Sequence, residues 1–308
     1  MRFFDLHCDT ATVCYPKGET LTQNHCVVSL REAAQFFSKY GQVFSVFTPE
    51  TFQYRAAERR ALDFCIKIRE EIALSDNTIL CQNRSDFDRC IKKQKNIALI
   101  SLENSTPLCN NTESVQKFYD LGVRIVSLTW NSANLFAGGY LDDIGLTRQG
   151  RELLRILERF GFLLDLSHLG DHGAKEVLRS YDGPILATHS NCRSVCRHGR
   201  NLNDAILREL IARGSVIGLN LYAPFLSDQG VGSYDTVLRH IEHLLRLGGE
   251  NSICIGTDFD GAEMQPCFNG FKAIVAWHDH LEENGVGAAL CNKIFYQNAF
   301  DFFMKALI

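Results

Sequence analysis

Short apolar segments alternate along this chain with longer amphipathic segments. Several of the short segments are apolar almost throughout, which is typical of strands buried on both faces of a parallel sheet. Eight of them are predicted strands: 3–6, 42–47, 97–102, 124–128, 163–166, 185–188, 216–221 and 253–256. The segments between them carry apolar residues at helical spacing, and the clearest predicted helices are 55–71, 112–121, 147–160, 173–180, 204–212 and 234–247.

Glycines mark the ends of several predicted helices. They stand at 122, 161, 183, 214 and 248 or 249, just after predicted helices, where a left-handed C-cap favours glycine. Eight strand–helix units are the number in a (β/α)8 TIM barrel, and we expect one such α/β domain over residues 1–308. A doubly wound open sheet is the alternative. It is less favoured because neither GxGxxG nor GxxxxGK[ST] follows any predicted strand.

Composition narrows the class of protein further. The 308 residues are 45% hydrophobic and 22% charged, as in an ordinary globular protein, and the net charge of -4 argues against a nucleic-acid partner. No apolar run approaches the ~18 residues of a membrane span, and the N-terminus lacks the pattern of a secretory signal. We therefore expect a soluble cytoplasmic protein without a membrane partner, whose twelve dispersed cysteines are free thiols.

Polar side chains follow most of the predicted strands. His7 and Asp9 follow the first predicted strand, and side chains at i and i+2 of an extended segment point to the same side. An imidazole nitrogen and a carboxylate oxygen can therefore reach one ion, a combination that suits zinc. Four further candidates follow later strands, at the end of a barrel where catalytic residues collect: Glu103, His168, His189 and Asp258.

The number of such residues predicts metal ions. Three histidines and three carboxylates at one barrel mouth would be costly to bury without a cation. They divide into two ligand sets that share one glutamate: His7, Asp9 and Glu103, and Glu103, His168 and His189. A two-oxygen carboxylate can bridge ions at the ~3.5–4 Å spacing of two-metal sites. Covalent catalysis is disfavoured, since no Ser or Cys has the context of a nucleophile elbow.

The chain resembles the membrane (renal) dipeptidase family, peptidase family M19, over roughly residues 3 to 262 and most closely over 122–222. The resemblance rests on motifs spread along the chain: Asp-Leu-His-Cys-Asp at 5–9, Gly-Val-Arg at 122–124, Leu-Thr-Trp-Asn at 128–131, Gly-Leu-Thr at 145–147, Asp-Leu-Ser-His at 165–168, Thr-His-Ser-Asn at 188–191, Gly-Arg-Asn-Leu at 199–202 and Gly-Thr-Asp-Phe-Asp-Gly at 256–261. Together these motifs are highly specific, although none would be alone.

The resemblance implies a dipeptidase with two Zn²⁺ ions and a hydroxide held between them as nucleophile. It places the metal ligands at His7, Asp9, Glu103, His168 and His189, with Glu103 as the bridge. It also implies that Arg200 holds the free carboxylate of a small peptide substrate, through the bidentate contact that a guanidinium favours. Asp258 would act as general base and then general acid. The resemblance further suggests a homodimer.

The chain departs from the family pattern near the fourth predicted strand. Trp130 stands where animal members have a histidine that contacts the substrate carbonyl, and an indole N–H can donate one hydrogen bond but cannot titrate. We expect Trp130 to form an aromatic wall of the substrate pocket, with Asn131 beside it as a second substrate-binding residue. Six histidines in helix or loop patterns are expected to face solvent, although His172 and His198 are near enough in sequence to line the pocket: His172, His198, His240, His243, His278 and His280.

Two other functions stay open on these residues. The first is a different metal-dependent barrel reaction, such as lactone, phosphoester or deamination chemistry. Such enzymes often use a modified lysine as bridge, and no lysine follows a strand here in a suitable place. The second is a barrel that binds metal without catalysis, in which Trp130 marks the lost activity. An intact set of ligands together with Asp258 argues against this second alternative.

Overall fold

Parallel strands close into a ring in this protein, whose computed structural model describes residues 1–307. The strands are β1 (Arg2–Cys8), β2 (Lys39–Phe47), β3 (Thr78–Leu80), β4 (Asn96–Glu103), β5 (Val123–Ser127), β6 (Leu163–Asp165), β7 (Ile185–Leu186), β8 (Ile217–Leu219) and β9 (Ile253–Ile255). Eight of them follow the order β7-β6-β5-β4-β2-β1-β9-β8, and a parallel bridge between Ala187 and Ile217 joins the two ends. The predicted (β/α)8 barrel is confirmed.

All eight predicted strands are present, and β3 is the one that the sequence pattern missed. It has only three residues and pairs with the first residues of β4, outside the ring. The register of the ring sets which strand ends are neighbours. β1 lies between β2 and β9, so the N-terminal strand is hydrogen-bonded to the last one.

Helices cover the outside of the ring and fill its connections. They are α1 (Thr10–Cys14), α2 (Leu30–Phe36), α3 (Tyr54–Leu74), α4 (Arg84–Lys93), α5 (Thr112–Asp120), α6 (Arg148–Phe160), α7 (Asp171–Ser180), α8 (Asp204–Ala212), α9 (Ala223–Leu226), α10 (Tyr234–Arg246), α11 (Phe271–Leu281), α12 (Ala288–Asn292) and α13 (Asn298–Ala306). Short 3-10 turns at Tyr15–Lys17 and Thr106–Leu108, and π turns at Glu282–Val286 and Lys293–Gln297, complete the order.

The predicted helix ends are largely correct. Gly161 has a φ of 75° and caps α6 through its N–H, as expected for a left-handed C-cap. The prediction for Gly183 was wrong, because α7 already ends at Ser180 and the next residue, Tyr181, is extended. Within residues 1–307, no helix combines the length and the apolar character needed to cross a membrane.

Two apolar clusters explain why the strands are apolar on both faces. The larger lies mainly between strands and outer helices, and the smaller includes Phe4, Val43, Leu99 and Ile125 of the ring. Helix α13 packs on the smaller cluster, where the Phe303 ring stacks on Phe4 with centroids 5.4 Å apart. Phe4 lies near the start of β1, so α13 packs on the amino end of the barrel. The polar strand ends gather at the opposite end.

Candidate metal centre and active site

His7, near the end of β1, and Asp9, just after it, lie at the mouth of the barrel. Both side chains are buried, and His7 Nε2 lies 3.4 Å from Asp9 Oδ2. The same nitrogen lies 3.4 Å from Oε2 of Glu103, which ends β4. Neither ring nitrogen of His7 has a hydrogen-bond partner among the residues that the structure describes. Buried polar nitrogens in this state call for a ligand.

Glu103 stands between two groups of side chains. Its Oε2 faces His7 and accepts a hydrogen bond of 3.1 Å from Ser45 Oγ. Its Oε1 lies 2.8 Å from His168 Nε2 and 3.8 Å from His189 Nε2. The structure thus brings together both ligand sets predicted from the sequence, with the potential ligand atoms of each set within 4.8 Å of one another. That these residues bind metal stays a prediction.

The orientation of His168 indicates which kind of ligand the space beside Glu103 suits. Its Nδ1 lies 2.8 Å from Asn131 Oδ1, an oxygen that can only accept, so in the neutral ring, which burial favours by lowering the pKa of His168, Nδ1 carries the proton and Nε2 presents a lone pair. That lone pair faces a carboxylate oxygen at 2.8 Å and the Nε2 of His189 at 2.9 Å. Two acceptors at this distance repel each other unless a cation or a proton lies between them. The donor set therefore fits a divalent metal with nitrogen and oxygen ligands.

The pKa shifts in the cluster likewise reflect an excess of negative charge from its carboxylates. Burial, reinforced by repulsion from Glu103, raises the pKa of Asp9 to about 7. Although burial opposes its protonation, the carboxylates of Glu103 and Asp9 raise the pKa of His7 well above its usual value. Burial also opposes ionisation of Glu103, but the charge of His7 holds the pKa of Glu103 well below its usual range. A metal ion would supply the positive charge that a protonated His7 otherwise provides.

Asp258 approaches the same cluster from the end of β9. Its Oδ1 lies 3.9 Å from His7 Nε2, and its Oδ2 accepts a hydrogen bond of 3.0 Å from Asn220 Nδ2. The backbone of Asp258 is left-handed, with a φ of 64°, and His168 has a φ of 69°. Such conformations cost roughly 1–3 kcal/mol at non-glycine residues and tend to cluster at active sites. Gly261 leaves room here, because a Cβ at that position would meet Asp9 Oδ2 at 2.2 Å.

A cavity of about 750 Å³ opens over these residues. Trp130 lines it as predicted, packed against Phe47 with ring centroids 5.1 Å apart and 6.2 Å from the His168 ring. Asn131 also lines the cavity, but its side-chain oxygen is engaged by His168. Further lining residues were missed by the sequence reasoning, among them Arg60, Tyr140, Tyr222, Phe225 and Glu263.

Asn220 and His198 show which signals were available in the sequence. Asn220 directly follows β8, so the rule that picked out the other strand ends would also have selected it. His198 lines the cavity, whereas the prediction for His240 was wrong because that side chain is fully buried. His240 receives the backbone N–H of Cys192 on Nδ1 at 3.2 Å, a contact that helical spacing alone does not indicate.

Arg200 lies next to the cluster and is almost fully buried. Its Nη1 donates to Ser190 Oγ at 2.9 Å and its Nη2 to the backbone oxygen of His189 at 3.0 Å. Its Nε is buried without a partner among the described residues. A guanidinium has five N–H groups, so three remain for a substrate carboxylate. Arg200 is absent from the side chains that line the cavity within residues 1–307, and its contact with substrate stays a prediction.

The barrel and its mouth of histidines and carboxylates define the metal-dependent hydrolase type of (β/α)8 protein. The comparison with known families is more specific. The model of the membrane dipeptidase family, peptidase family M19, matches residues 1–306, and the chain belongs to this family. The resemblance found in the sequence motifs is confirmed.

The individual relatives share low sequence identity with this chain. Dipeptidase 3 of Rattus norvegicus is 30% identical over 250 residues, which are 79% of this chain but only 50% of that protein. A solved metallo peptidase from Rhodobacter sphaeroides, liganded with a phosphinate mimic of the dipeptide L-Ala-D-Ala, has a TM-score of 0.90 at 23% identity and covers 100% of this chain and 99% of its own. The dipeptidase AC of family M19 has a TM-score of 0.91 at 24% identity, with coverage of 100% and 99%. At these identities the two structures establish the fold.

Proposed function

We propose that this protein hydrolyses the peptide bond of dipeptides at a dinuclear zinc centre. The observation that carries the proposal is the position of Glu103, whose two carboxylate oxygens face different ligand sets. One faces His7 at 3.4 Å and the other faces His168 at 2.8 Å. Membership of the membrane dipeptidase family supports this choice of reaction. The dipeptide mimic bound to the Rhodobacter sphaeroides enzyme supports the choice of substrate class.

The ligand atoms fit two zinc ions. His7, Asp9 and Glu103 would hold one, and Glu103, His168 and His189 the other. Bound there, the ions would supply an acidified water between them and polarise the substrate carbonyl. Because each set offers at most three protein atoms, coordination positions would remain open, as in other catalytic zinc sites.

Asp258 is our candidate for the residue that moves the proton. Its Oδ2 is held by Asn220, so its Oδ1 remains directed towards His7 and the cluster. We assign Asp258 the role of accepting a proton from the attacking water and delivering it to the leaving amine. The carboxylate lies at the cavity surface, where the Asp258 side chain is 15% exposed.

Arg200 and the aromatic walls would orient the substrate. The unpartnered Nε of Arg200 and its remaining N–H groups suit a carboxylate, which is present at the C-terminus of every dipeptide. Trp130 and Phe47 form one apolar wall of the cavity, while Tyr222 and Phe225 pack edge to face with centroids 5.0 Å apart. Such walls favour substrates with apolar side chains.

The test is a panel of L,L and L,D dipeptides offered to the metal-free and the zinc-loaded protein. We expect hydrolysis of some members with zinc and none without it. The matched control is Glu103→Gln loaded in the same way, which keeps the size of the side chain and removes its charge. Turnover in the absence of metal, or failure of the zinc-loaded protein on the whole panel, would contradict the proposal.

We also propose a cytoplasmic location. All twelve cysteines are unpaired, including Cys81 and Cys90, whose sulfur atoms lie only 3.5 Å apart. Free thiols at this distance are easier to maintain in a reducing compartment. The check is to alkylate the protein in its native cells and to count blocked cysteines; a Cys81–Cys90 disulfide there would argue for an oxidising compartment.

A further inference from the structure

A chain of hydrogen bonds leads from a buried carboxylate to one of the proposed metal ligands. Asp165, at the end of β6, accepts the Thr188 hydroxyl on Oδ2 at 2.6 Å and the Thr188 backbone N–H on Oδ1 at 2.9 Å. The same hydroxyl oxygen lies 2.7 Å from Nδ1 of His189. All three residues are at most 1% exposed, so water does not compete for these contacts.

The direction of each hydrogen bond follows from whether its atoms can donate or accept a proton. A carboxylate only accepts, so the single hydroxyl proton of Thr188 is given to Asp165. The hydroxyl oxygen is then left as an acceptor, and a neutral His189 must place its single proton on Nδ1. The Nε2 atom of His189 therefore presents a lone pair to the space that it shares with His168 Nε2, 2.9 Å away.

The carboxylate of Asp165 is surrounded by hydrogen-bond donors. Besides Thr188, it receives the Ser127 hydroxyl on Oδ2 at 2.8 Å and the backbone N–H of Ser167 on Oδ1 at 2.9 Å. Four donors thus surround one carboxylate. Because every hydrogen bond of Asp165 within residues 1–307 comes from a donor, the Thr188 hydroxyl keeps its proton directed at this carboxylate.

The barrel contains a second arrangement of the same kind, which serves as an internal comparison. Asp5 accepts the backbone N–H and the hydroxyl of Thr257, both at 2.8 Å, and the backbone N–H of His7 at 3.3 Å. The other neighbours of the Thr257 hydroxyl are backbone groups, at His7 and Phe259. The aspartate–threonine pair therefore joins neighbouring strands in both places. Only at Thr188 does it continue to an imidazole.

We propose that Asp165 and Thr188 are positioning residues that set the tautomer and orientation of His189, so that its Nε2 is available to a metal ion. The proposal rests on the metal centre of the proposed function. Partners of this kind fix the ring and raise its basicity, and their loss typically costs 10–100-fold in metal affinity. Asp165 also joins neighbouring strands, as Asp5 does. The Asp5 pair therefore allows this structural role to be distinguished from the positioning of His189.

The experiment compares Thr188→Val with Thr257→Val. Each removes one hydroxyl from an equivalent aspartate–threonine pair, and valine has nearly the shape of threonine. In Thr188→Val we expect zinc affinity at the His168 and His189 half to fall about 10–100-fold, with the other half affected less. In Thr257→Val we expect no selective loss at that half. Thr188→Ser, which restores a hydroxyl, should recover the affinity of the unmodified protein.

A second readout needs no metal. In the metal-free protein with ¹⁵N-labelled histidine, NMR should show the proton of His189 on Nδ1. Asp165→Asn offers an N–H towards Thr188 in place of an acceptor, so the hydroxyl should turn and donate to the imidazole. We then expect the proton of His189 to move to Nε2. This measurement remains decisive if Thr188→Val folds poorly.

The outcomes separate the two proposals. If Thr188→Val and Thr257→Val lower stability alike, without a difference in zinc affinity or tautomer, Asp165 and Thr188 only join strands and the inference is overturned. If the unmodified protein binds no zinc at His168 and His189, the proposed metal centre fails instead. The tautomer of His189 in the metal-free protein then still tests the hydrogen-bond chain.

Discussion

The Nε2 atoms of His168 and His189 lie 2.9 Å apart, and both face Oε1 of Glu103, at 2.8 and 3.8 Å. Because Asn131 engages Nδ1 of His168, the Nε2 of that ring carries a lone pair in its neutral form. A nitrogen lone pair, a second imidazole nitrogen and a carboxylate oxygen thus converge on one point. This convergence is unfavourable for the protein alone and favourable around a cation.

Removing the metal should therefore destabilise the protein. Zinc bound to the folded state alone, at 1,000 times its dissociation constant, adds about 4 kcal/mol to the free energy of unfolding. We expect urea denaturation to show a gain of this order when zinc is returned to the chelated protein. His168→Ala is the control and should gain less. Equal stability with and without zinc would argue against a preformed metal site.

Glu103→Gln should remove both the bridge and the reaction. The amide has the same shape but no charge, and its nitrogen end cannot act as a metal ligand. We expect zinc content to fall and kcat/KM for a dipeptide to drop below detection, measured on the same preparation. Ser45→Ala removes only the hydrogen bond to Glu103 Oε2. It should keep its zinc and lose little activity, so equal losses in both variants would contradict a bridging role.

Asp258→Asn should separate metal binding from proton transfer. General acid–base catalysis typically contributes 10²–10⁴-fold, and we expect kcat to fall within that range while zinc content is unchanged. Asn220→Ala releases Oδ2 of Asp258 without removing the carboxylate, and its kcat should lie between those of Asp258→Asn and the unmodified enzyme. Loss of zinc from Asp258→Asn would instead make Asp258 a metal ligand.

Arg200→Met should reveal whether the substrate carboxylate is recognised. The substitution removes the charge and every donor while keeping an unbranched side chain. We expect kcat/KM to fall about 10- to 100-fold or more for a free dipeptide, the loss of one or more strong charge-assisted hydrogen bonds. The same dipeptide with an amidated C-terminus should lose much less. An equal loss for both substrates would show that Arg200 acts through its contacts with Ser190 and His189.

The sequence predicted those features that depend on local pattern. The ring strands are apolar on both faces because the interior and the outer helices both bury them, so eight strands could be identified without knowing their order. The convergence of His7 with His189 then follows from closure of the ring. It could be predicted because all the candidates follow strands, whose carboxyl ends meet in a barrel.

Features that depend on packing between loops could not be predicted in this way. Lining residues such as Tyr140 and Phe225 lie in connections between the strands and the outer helices, whose path is set by neighbouring segments. Asp165 was visible only as part of a family motif, because three of its four donors come from other segments, at Ser127 and Thr188. The burial of His240 likewise depends on the segment at Cys192 crossing over α10.

That buried His240 predicts a specific dependence of stability on pH. Burial lowers its pKa to about 4, against 6.5 for an ordinary histidine. Below about pH 6.5 the unfolded chain binds a proton at this residue while the folded protein does not. Where the unfolded state binds more protons than the folded state, the free energy of unfolding falls as the pH decreases. The contribution of His240 is therefore complete above pH 6.5 and is lost progressively between about pH 6.5 and pH 4.

The size of this loss follows from the shift, at about 1.4 kcal/mol for each pKa unit, and amounts to roughly 3 kcal/mol. His240→Gln cannot titrate and should lack this part of the pH dependence, although it will be less stable at neutral pH because the contacts with Cys192 and Leu226 are disturbed. Urea unfolding of both proteins at pH 7 and near pH 4.5 measures the difference directly. Parallel losses of stability in the two proteins would show that His240 takes up a proton in the folded state.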